Sequence, residues 1–365
     1  MNIIVTGTRG IPFIQGGVET HCEEIYPMMC CYDIMGITLI RRSAYVTLNN
    51  NTSSYKGINI KTFYSPKSKS FEAIVHTFLA VIYAGIKRPD VLHIHAVGPN
   101  LLTPFARLLG LRVVMTHHGP DYERMKWGRV AKFILKLGEW AGVKFANKVI
   151  VISKEIGDSI VKKYGRTDCV LIPNGVPQIT KSLNIDYLLQ LGLEPHSYIF
   201  TLGRFVPEKG FDYLIKAWKQ STFSKSCQLV IAGDADHESI YSTELKTLAK
   251  KQGVILTGFI KGEPLRQLFI NTRLFVLPSF YEGLPISLLE AMSYGLDILA
   301  SDIPANKEVK LPEVFYFETG NIEALTEKLE QKLSAIEVVR NYDMSRYNWE
   351  NIARQTYEVY KEVVN

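Results

Sequence analysis

The feature of this sequence that most constrains its fold is an alternation of strand-like and helix-like segments that occurs twice along the chain. Short apolar runs, such as residues 2–7 and 111–116, are each followed by a loop and a helical pattern. The alternation loosens after Val176 and begins again at Tyr198. Because alternating strands and crossover helices form parallel sheets, and because 365 residues are too many for one ordinary core, we predict an α/β protein with two domains.

The composition excludes several classes of protein. A net charge of +6 is mild, and no dense basic runs interleaved with aromatic residues indicate a nucleic-acid-binding protein. The longest apolar stretch, residues 73–86, is too short to span a membrane and contains His76. The five cysteines lack metal-type spacing, and the first strand begins at Asn2 without a signal peptide. We therefore expect a globular protein of the reducing cytoplasm.

The clearest chemistry lies in the stretch from residue 272 to residue 292. An apolar strand-like run ends at Pro278, and Pro285 suits the first turn of a helix that follows the turn at Glu282. A helix N-terminus offers unpaired N–H groups and a positive dipole end, which suit phosphate. Glu290 lies about five residues into that helix and leans back toward the turn, where its carboxylate can accept paired hydroxyls. The stretch predicts a site for a diphosphate with a polyol on either side. For this pair of carboxylates alone, ordinary surface and loop positions remain the alternative.

A second candidate anion site follows the strand at residues 198–203. Arg204 and Lys209 lie five positions apart around a turn, beside a helix that begins at Phe211. An Arg that chelates oxygens and a Lys that acts as a point charge would form a diphosphate clamp. The alternative is a solvated basic loop.

Metal and dinucleotide sites find little support. Asp234 and Asp236 are spaced like ligands of a divalent metal, but such residues at a strand end are more often turn formers. His93 and His95 invite a zinc interpretation, but no third ligand with supporting spacing follows. The glycines after the first strand lack the GxGxxG spacing, which argues against a nicotinamide-dependent dehydrogenase.

Two further segments of the first half are candidates for ligand binding. Gly16 and Gly17 precede a helix expected from about Glu19, so their backbone can approach an anion or form a flexible turn. His117 and His118 lie at the C-terminal end of a parallel strand, where open α/β sheets bind ligands.

Taken together, these segments resemble the retaining glycosyltransferases of family 4. The resemblance covers nearly the whole chain with its motifs in the expected order, and it is carried by residues 16–19, 116–119, 172–176 and 203–210 and by Glu282 and Glu290 with seven residues between them. Residues 6–12 and 119–127 further resemble a bacterial branch that makes surface polysaccharides and includes rhamnosyltransferase-like members.

The resemblance implies a GT-B fold, with two Rossmann-like domains that face each other across a cleft. Residues 1–175 would form the acceptor-binding domain and residues 176–345 the domain that binds a nucleotide sugar. The C-terminal helix, within residues 346–365, would cross back to the N-terminal domain.

The resemblance also assigns roles to individual residues. Arg204 and Lys209 would hold the donor diphosphate, and Glu290 would bind the ribose hydroxyls. The transferred sugar and its phosphate would be held by Glu282 and by the backbone N–H groups of Gly283 and Leu284.

In the first domain, the histidine before Gly119 matches the family position, so His118 would reach the donor sugar from the opposite domain. Adjacent His117 leaves this choice ambiguous. The loop of Gly16 and Gly17 would approach phosphate and acceptor.

The implied reaction moves a sugar from a nucleotide-diphosphate donor to a saccharide or lipid-linked saccharide acceptor, with retention of configuration. Arg204, Lys209 and a helix N-terminus would do the work of a metal, so no cofactor or metal is expected. Glu282 as a covalent nucleophile ranks lower. A GT-B-type epimerase and a non-catalytic sugar-nucleotide-binding protein are the alternatives. The sequence encodes neither the nucleotide base nor the acceptor.

A basic segment of the first domain offers a candidate for peripheral contact with the inner membrane. Lys126, Arg129 and Lys132 would face anionic lipid at its cytoplasmic face, or else form a solvated helix face.

Overall fold

The computed structural model describes residues 1–32, 36–66, 72–123, 128–177, 184–236 and 238–365. The chain forms two compact units. The first comprises Met1–Gly175 together with Arg346–Asn365, and the second comprises Val176–Ser345. Lys126 lies outside the described residues.

The first unit is built on an eight-stranded sheet with the order β3-β4-β2-β1-β5-β6-β7-β8. All its neighbouring strands are parallel except the pair β3 and β4. The strands are β1 (Asn2–Thr6), β2 (Gly36–Arg42), β3 (Ser54–Tyr55), β4 (Ile58–Phe63), β5 (Val91–His95), β6 (Val113–His117), β7 (Lys148–Val151) and β8 (Val170–Leu171).

Helices of the first unit connect these strands, and the C-terminal helix packs against α1, as the predicted fold requires. They are α1 (Gly17–Met29), α2 (Glu72–Lys87), α3 (Thr103–Leu108), α4 (Arg129–Phe145), α5 (Lys154–Tyr164) and α13 (Trp349–Val364). Gly175 lies under Trp349, where an added Cβ would come within 2.7 Å of the indole ring. The absence of a side chain at this glycine therefore allows the returning helix to sit close to the strand end.

The second unit has a six-stranded parallel sheet with the order β11-β10-β9-β12-β13-β14. Its strands are β9 (Tyr198–Leu202), β10 (Gln228–Ala232), β11 (Ile255–Gly258), β12 (Leu274–Leu277), β13 (Ile298–Ser301) and β14 (Tyr316–Phe317). Its helices are α6 (Asp186–Gln190), α7 (Phe211–Gln220), α8 (Ile240–Gln252), α9 (Glu263–Ile270), α10 (Ile286–Ser293), α11 (Pro304–Lys307) and α12 (Ile322–Ser334).

The helices whose starts were predicted begin at or near the predicted residues. Ser153 caps α5 by accepting a hydrogen bond from the Ile156 N–H, as expected of a serine at this position. Two details differ. Helix α1 begins at Gly17 instead of near Glu19, and Pro285 occupies the N-cap of α10, in an extended conformation, instead of its first turn.

Each sheet has a point where the strand order reverses direction. In the first unit this point lies between β1 and β5, and in the second it lies between β9 and β12. Ligands of open α/β sheets bind outside the carboxyl ends of the strands at such points. Gly16 and Gly17 follow β1, Arg204 and Lys209 follow β9, and Glu282 follows β12, whereas His118 follows the neighbouring strand β6. None of the helices within the described ranges is both long and apolar enough to cross a membrane.

Candidate active site

The loop after β9 is fixed by one glycine against the segment that follows β12. Gly210 has a φ of 64°, and a Cβ added there would lie 2.3 Å from the carbonyl oxygen of Pro278. The N–H of Phe280 donates to the Glu208 carbonyl oxygen at 2.8 Å. These contacts hold the short 3-10 helix Pro207–Lys209 beside the turn that precedes α10.

This arrangement brings Lys209 and Glu282 together. The Lys209 Nζ lies 2.5 Å from the Glu282 Oε1, and both side chains are largely buried. The Ser279 hydroxyl donates to the same carboxylate oxygen at 2.7 Å. The carboxylate is therefore held by one charged and one neutral donor, with its position fixed by the segment between β12 and α10.

Arg204 has a separate carboxylate partner. Its Nη1 lies 3.0 Å from the Asp236 Oδ2, and both side chains are mostly buried. Asp234 pairs instead with Lys246, at 2.7 Å, and its Oδ1 also accepts from the Ala235 N–H. Both carboxylates of the Asp-x-Asp pair therefore have a cationic partner within the protein. The sequence analysis interpreted Asp236 as a turn former and did not identify it as the partner of Arg204.

The N-terminus of α10 leaves backbone donors available. Within the described ranges, the N–H groups of Gly283, Ile286 and Ser287 have no hydrogen-bond acceptor. Leu284 is buried beside them. Glu290, the fifth residue of the helix, is half-buried. The donors and the helix dipole together form a region of positive potential next to Lys209.

Glu208 is a buried carboxylate that the sequence analysis did not single out. Its side chain is only 3% exposed, and within the part of the chain that the structure describes neither carboxylate oxygen has a hydrogen-bond partner. Burying such a group without a partner is unfavourable. In the sequence, only its position next to Lys209 indicated that Glu208 could belong to the site.

In the first unit, Glu19 organises the loop that contains Gly16. The Thr8 hydroxyl and the Arg9 N–H donate to the Glu19 Oε1 at 3.0 Å and 2.9 Å. A Cβ added to Gly16, which has a φ of 151°, would lie 2.0 Å from the other oxygen of this carboxylate. The N-terminus of α1 therefore carries a carboxylate of its own, which offsets part of its attraction for anions.

Alanine substitutions at the two adjacent glycines are expected to differ. Gly16→Ala would displace the Glu19 carboxylate, which would lose the two hydrogen bonds that it accepts. We expect the free energy of unfolding to fall by about 2 kcal/mol. Gly17→Ala should stay within about 0.5 kcal/mol of the parent, because no atom lies within 4 Å of the added Cβ. Thermal and urea unfolding of both variants would measure this, and equal effects would contradict the described loop.

His117 and His118 have different surroundings. The buried His117 ring holds Glu139 at 2.8 Å through its Nε2 and accepts the Gly119 N–H at its Nδ1. Glu139 also accepts hydrogen bonds from Tyr122 and Tyr164. Both nitrogens of His117 are therefore engaged by the protein.

The His118 ring is mostly buried but partly accessible, and it lies 5.0 Å, between ring centroids, from His21 and 5.2 Å from His95. Burial, together with neighbouring histidines such as His21, holds the pKa of His118 well below its usual range, so the ring is neutral at physiological pH. Of the two adjacent histidines, His118 is the one accessible to a ligand.

His21 was not singled out by the sequence analysis, yet it completes a group of three histidines. One ring nitrogen each of His21, His95 and His118 lies within 4.8 Å of the others, a set that would suit a metal ion. The rings of His95 and His118, however, are tilted by only 28° and their facing nitrogens are 2.9 Å apart. That geometry fits a direct hydrogen bond between the two rings.

Comparisons with known proteins agree with this architecture. A family model described as Glycosyltransferase Family 4 matches residues 41–178, and one described as Glycosyl transferases group 1 matches residues 190–349. These matches, in chain order over two units with parallel sheets, define a glycosyltransferase of the GT-B type. The chain belongs to the glycosyltransferases of family 4.

Individual relatives extend this finding. The UDP-Gal:alpha-D-GlcNAc-diphosphoundecaprenol alpha-1,3-galactosyltransferase of Escherichia coli is 30% identical over 60% of this chain and 59% of its own length. The sucrose-phosphate synthase of Thermosynechococcus elongatus superposes with a TM-score of 0.83 at 19% identity, over 99% of this chain and 98% of that chain. Anabaena HepE in complex with UDP and glucose gives 0.79 at 20% identity, over 99% and 100%. The structural likenesses confirm the predicted GT-B fold.

Proposed function

We propose that this protein is a retaining, metal-independent glycosyltransferase that uses a nucleotide-diphosphate sugar in the synthesis of a bacterial surface polysaccharide, in the rhamnosyltransferase-like branch. The observation that carries the proposal is the proximity of Lys209, Glu282 and the unpaired N–H groups of α10 where β9 and β12 end. At a sugar–phosphate bond, positively charged groups can bind the phosphate, and a neighbouring carboxylate can accept hydrogen bonds from the sugar hydroxyls.

The donor would use both partners of the Lys209–Glu282 ion pair. When the donor binds, a phosphate oxygen can accept a hydrogen bond from Lys209 while the sugar hydroxyls donate to Glu282. Both the lysine ammonium and the carboxylate then keep a partner. Arg204 would hold the diphosphate together with Lys209 and the N–H groups of Gly283 and Leu284. Glu290 would accept from the ribose hydroxyls.

These groups also suit the chemistry of transfer. As the sugar–phosphate bond breaks, negative charge grows on the leaving diphosphate, and fixed cations and backbone donors stabilise it. Arg204, Lys209 and the N-terminus of α10 supply this positive charge without a metal, and the Asp234 and Asp236 carboxylates already have cationic partners. The acceptor would attack from the face that the diphosphate leaves, so configuration is retained.

Glu282 is assigned to hydroxyl binding in preference to covalent attack on the sugar. Its Oε1 is held by Lys209 and Ser279, both of which lower the electron density available for attack. His118 of the first unit is assigned to a hydroxyl of the transferred sugar, and the loop of Gly16 and Gly17 to the acceptor side.

Two of the similar proteins support the substrate classes. HepE is described in complex with UDP and glucose, and the name of the E. coli relative gives a UDP-sugar donor and an acceptor linked to diphosphoundecaprenol. We therefore assign a nucleotide sugar as donor and a saccharide or lipid-linked saccharide as acceptor, at the cytoplasmic face of the inner membrane.

The exposed face of α4 supports placement at a lipid surface. Large apolar side chains line one side of the helix, with exposures of 75% for Val130, 67% for Phe133, 39% for Leu137 and 43% for Trp140. Arg129, Lys136 and Lys144 are also exposed on this helix, whose one acidic residue, Glu139, is buried. An apolar stripe with cations and no exposed acid fits an anionic lipid interface.

The α4 surface predicts selective binding to anionic vesicles. Replacing Phe133 and Trp140 with serine should lower binding to phosphatidylglycerol-containing vesicles roughly tenfold, because two apolar side chains no longer insert. Co-sedimentation would measure this, with phosphatidylcholine vesicles giving weak binding throughout. Ile240→Ser, at an 81% exposed position of α8, is the matched control and should bind like the parent. If the parent, the variant with serine at positions 133 and 140, and Ile240→Ser all bind the vesicles equally well, α4 is not the lipid-binding surface.

The proposed function is tested by calorimetry of the purified protein with UDP-, GDP-, ADP- and dTDP-sugars in the presence of a chelator. Tight binding of one class supports a metal-independent donor site and identifies the base. An epimerase would convert that donor without an acceptor, and a binding protein would leave it unchanged. No binding by any donor would contradict the proposal.

A further inference from the structure

A buried carboxylate of α4, Glu139, lies within hydrogen-bond distance of three side chains of the first unit. Its Oε1 is 2.8 Å from His117 Nε2, and its Oε2 accepts from the Tyr164 hydroxyl at 2.6 Å. The Tyr122 hydroxyl lies 3.2 Å from the first oxygen and 3.1 Å from the second. Glu139, His117 and Tyr122 are 3%, 1% and 6% exposed. The proposed donor chemistry uses none of these side chains.

Glu139 is ionised, and the groups around it are donors. Burial by itself would raise the pKa of this carboxyl, but hydrogen bonds from His117 and Tyr164 and the charge of Lys163 hold it below its usual range. Burial and the adjacent carboxylate raise the pKa of Tyr122 and that of Tyr164, so both hydroxyls keep their protons. Because an ionised carboxylate can only accept, the proton between Glu139 and His117 belongs to the ring.

The backbone of Gly119 determines the state of the other ring nitrogen. The Gly119 N–H donates to His117 Nδ1 at 3.1 Å. A backbone N–H can only donate, so Nδ1 carries a lone pair and no proton. The neutral ring therefore has its one proton at Nε2, where it is donated to Glu139. Rotating the ring by half a turn would place carbon atoms against both partners and lose both hydrogen bonds.

The hydrogen bond from Gly119 to His117 closes a tight turn over residue 118. Strand β6 ends at His117, and the side chain of this residue accepts the N–H two positions further on, as an asparagine does in an Asx turn. Gly119 has a φ of 126°, a conformation that glycine adopts readily. With its two neighbours joined to each other and to α4, the backbone of His118 has little freedom to rotate.

We propose that His117 is a positioning residue, which Glu139 keeps in the Nε2–H tautomer so that it closes the turn that directs the His118 side chain. The role of His118 toward the transferred sugar rests on the proposed function, whereas the turn does not. Without the Glu139 carboxylate, the proton of His117 would be free to occupy Nδ1. The Gly119 N–H would then lose its acceptor, and the turn would open.

The turn is tested by NMR on the full chain without any substrate. With ¹⁵N-labelled histidine, His117 should be protonated at Nε2 and unprotonated at Nδ1, and the Gly119 amide should exchange slowly with solvent. Glu139→Met, which keeps the bulk of the side chain without an acceptor, should give a mixture of His117 tautomers and faster exchange at Gly119. A parent His117 protonated at Nδ1, or fast exchange of the parent Gly119 amide, would overturn the proposal.

Two substitutions at position 117 separate positioning from packing. The side-chain oxygen of asparagine can accept the Gly119 N–H in an Asx turn, whereas leucine fills similar space without an acceptor. We expect His117→Leu to lower kcat for donor hydrolysis about 10- to 100-fold, because a displacement of about 1 Å at a reacting centre has an effect of this size. The KM for the donor should change less. His117→Asn should keep kcat within about threefold of the parent, since the turn still closes.

His76→Leu is the matched control for these substitutions. His76 of α2 is also a fully buried histidine of the first unit, at 0% exposure, but it lies outside this turn. Its kcat and its Gly119 exchange should match those of the parent. Equal loss of kcat in the asparagine and leucine variants would reduce His117 to a packing residue. Thermal unfolding identifies any variant that does not fold, and the tautomer of the parent is measured independently of all of them.

The outcomes distinguish this inference from the proposed function. If no nucleotide sugar binds but His117 is the Nε2–H tautomer with slow exchange at Gly119, the proposed function fails and the closed turn stands. If the donor is hydrolysed but His117 carries its proton at Nδ1, the positioning role fails alone.

Discussion

Replacing Glu282 with glutamine is expected to lower kcat/KM for sugar transfer by about 100-fold or more. The substitution keeps the size of the side chain and a partner for the Ser279 hydroxyl, but it removes the charge that pairs with Lys209 at 2.5 Å. The hydroxyl acceptor beside the breaking bond becomes weaker, and Lys209 loses the partner that holds it in place. The magnitude follows from the effect of losing one fixed polar group at a reacting centre.

Glu313→Gln is the matched control for this substitution. Glu313 also forms an ion pair with a lysine of the second unit, Lys307, at 3.4 Å, but its side chain is 81% exposed. Such exposed pairs contribute little to stability, so transfer and the melting temperature should match those of the parent. Full activity in Glu282→Gln, with the donor still bound, would show that the active site has been assigned to the wrong residues.

Replacing Gly210 with alanine is expected to destabilise the second unit by more than about 3 kcal/mol. The left-handed conformation alone costs an alanine roughly 1–2 kcal/mol. The added Cβ would also lie 2.3 Å from the Pro278 carbonyl oxygen, a backbone atom that cannot turn away. Since Gly210 follows Lys209 directly, the variant that remains folded should also bind the donor more weakly.

Gly253→Ala isolates the conformational part of this effect. Gly253 also has a positive φ, 76°, but nothing lies within 4 Å of a Cβ added there. Its substitution should cost roughly 1–2 kcal/mol, measured by urea unfolding beside Gly210→Ala. If the two variants lose the same stability, the close contact between the loop after β9 and the segment after β12 does not exist.

Local signals in the sequence were sufficient to predict two α/β domains with parallel sheets, whereas the GT-B fold was implied by the family resemblance. The repeated alternation of strand-like and helix-like segments predicted the parallel sheets that the structure shows. The start of α1 was placed two residues late, because glycine is a poor helix former and Gly17 was assigned to the loop. Propensity alone does not reveal that a glycine occupies the first position of a helix.

The pairings between site residues could not be predicted, because the partners are far apart in the sequence. Lys209 and Glu282 are 73 positions apart, so both were predicted near phosphate while their ion pair was not. Asp236 was interpreted as a turn former, because no local pattern connects it with Arg204 across 32 positions. His21 gives no signal on α1, yet the sheet order places its ring beside those of His95 and His118.

The central claim, retaining transfer from a nucleotide sugar, is tested most directly by the stereochemistry of the sugar that the enzyme releases. With a donor identified by calorimetry, its slow hydrolysis can be followed by ¹H NMR of the anomeric proton, without knowledge of the natural acceptor and with a chelator present. We predict that the first sugar released has the anomeric configuration of the donor. Release of the opposite anomer, or release only when a divalent metal is restored, would contradict the proposed mechanism.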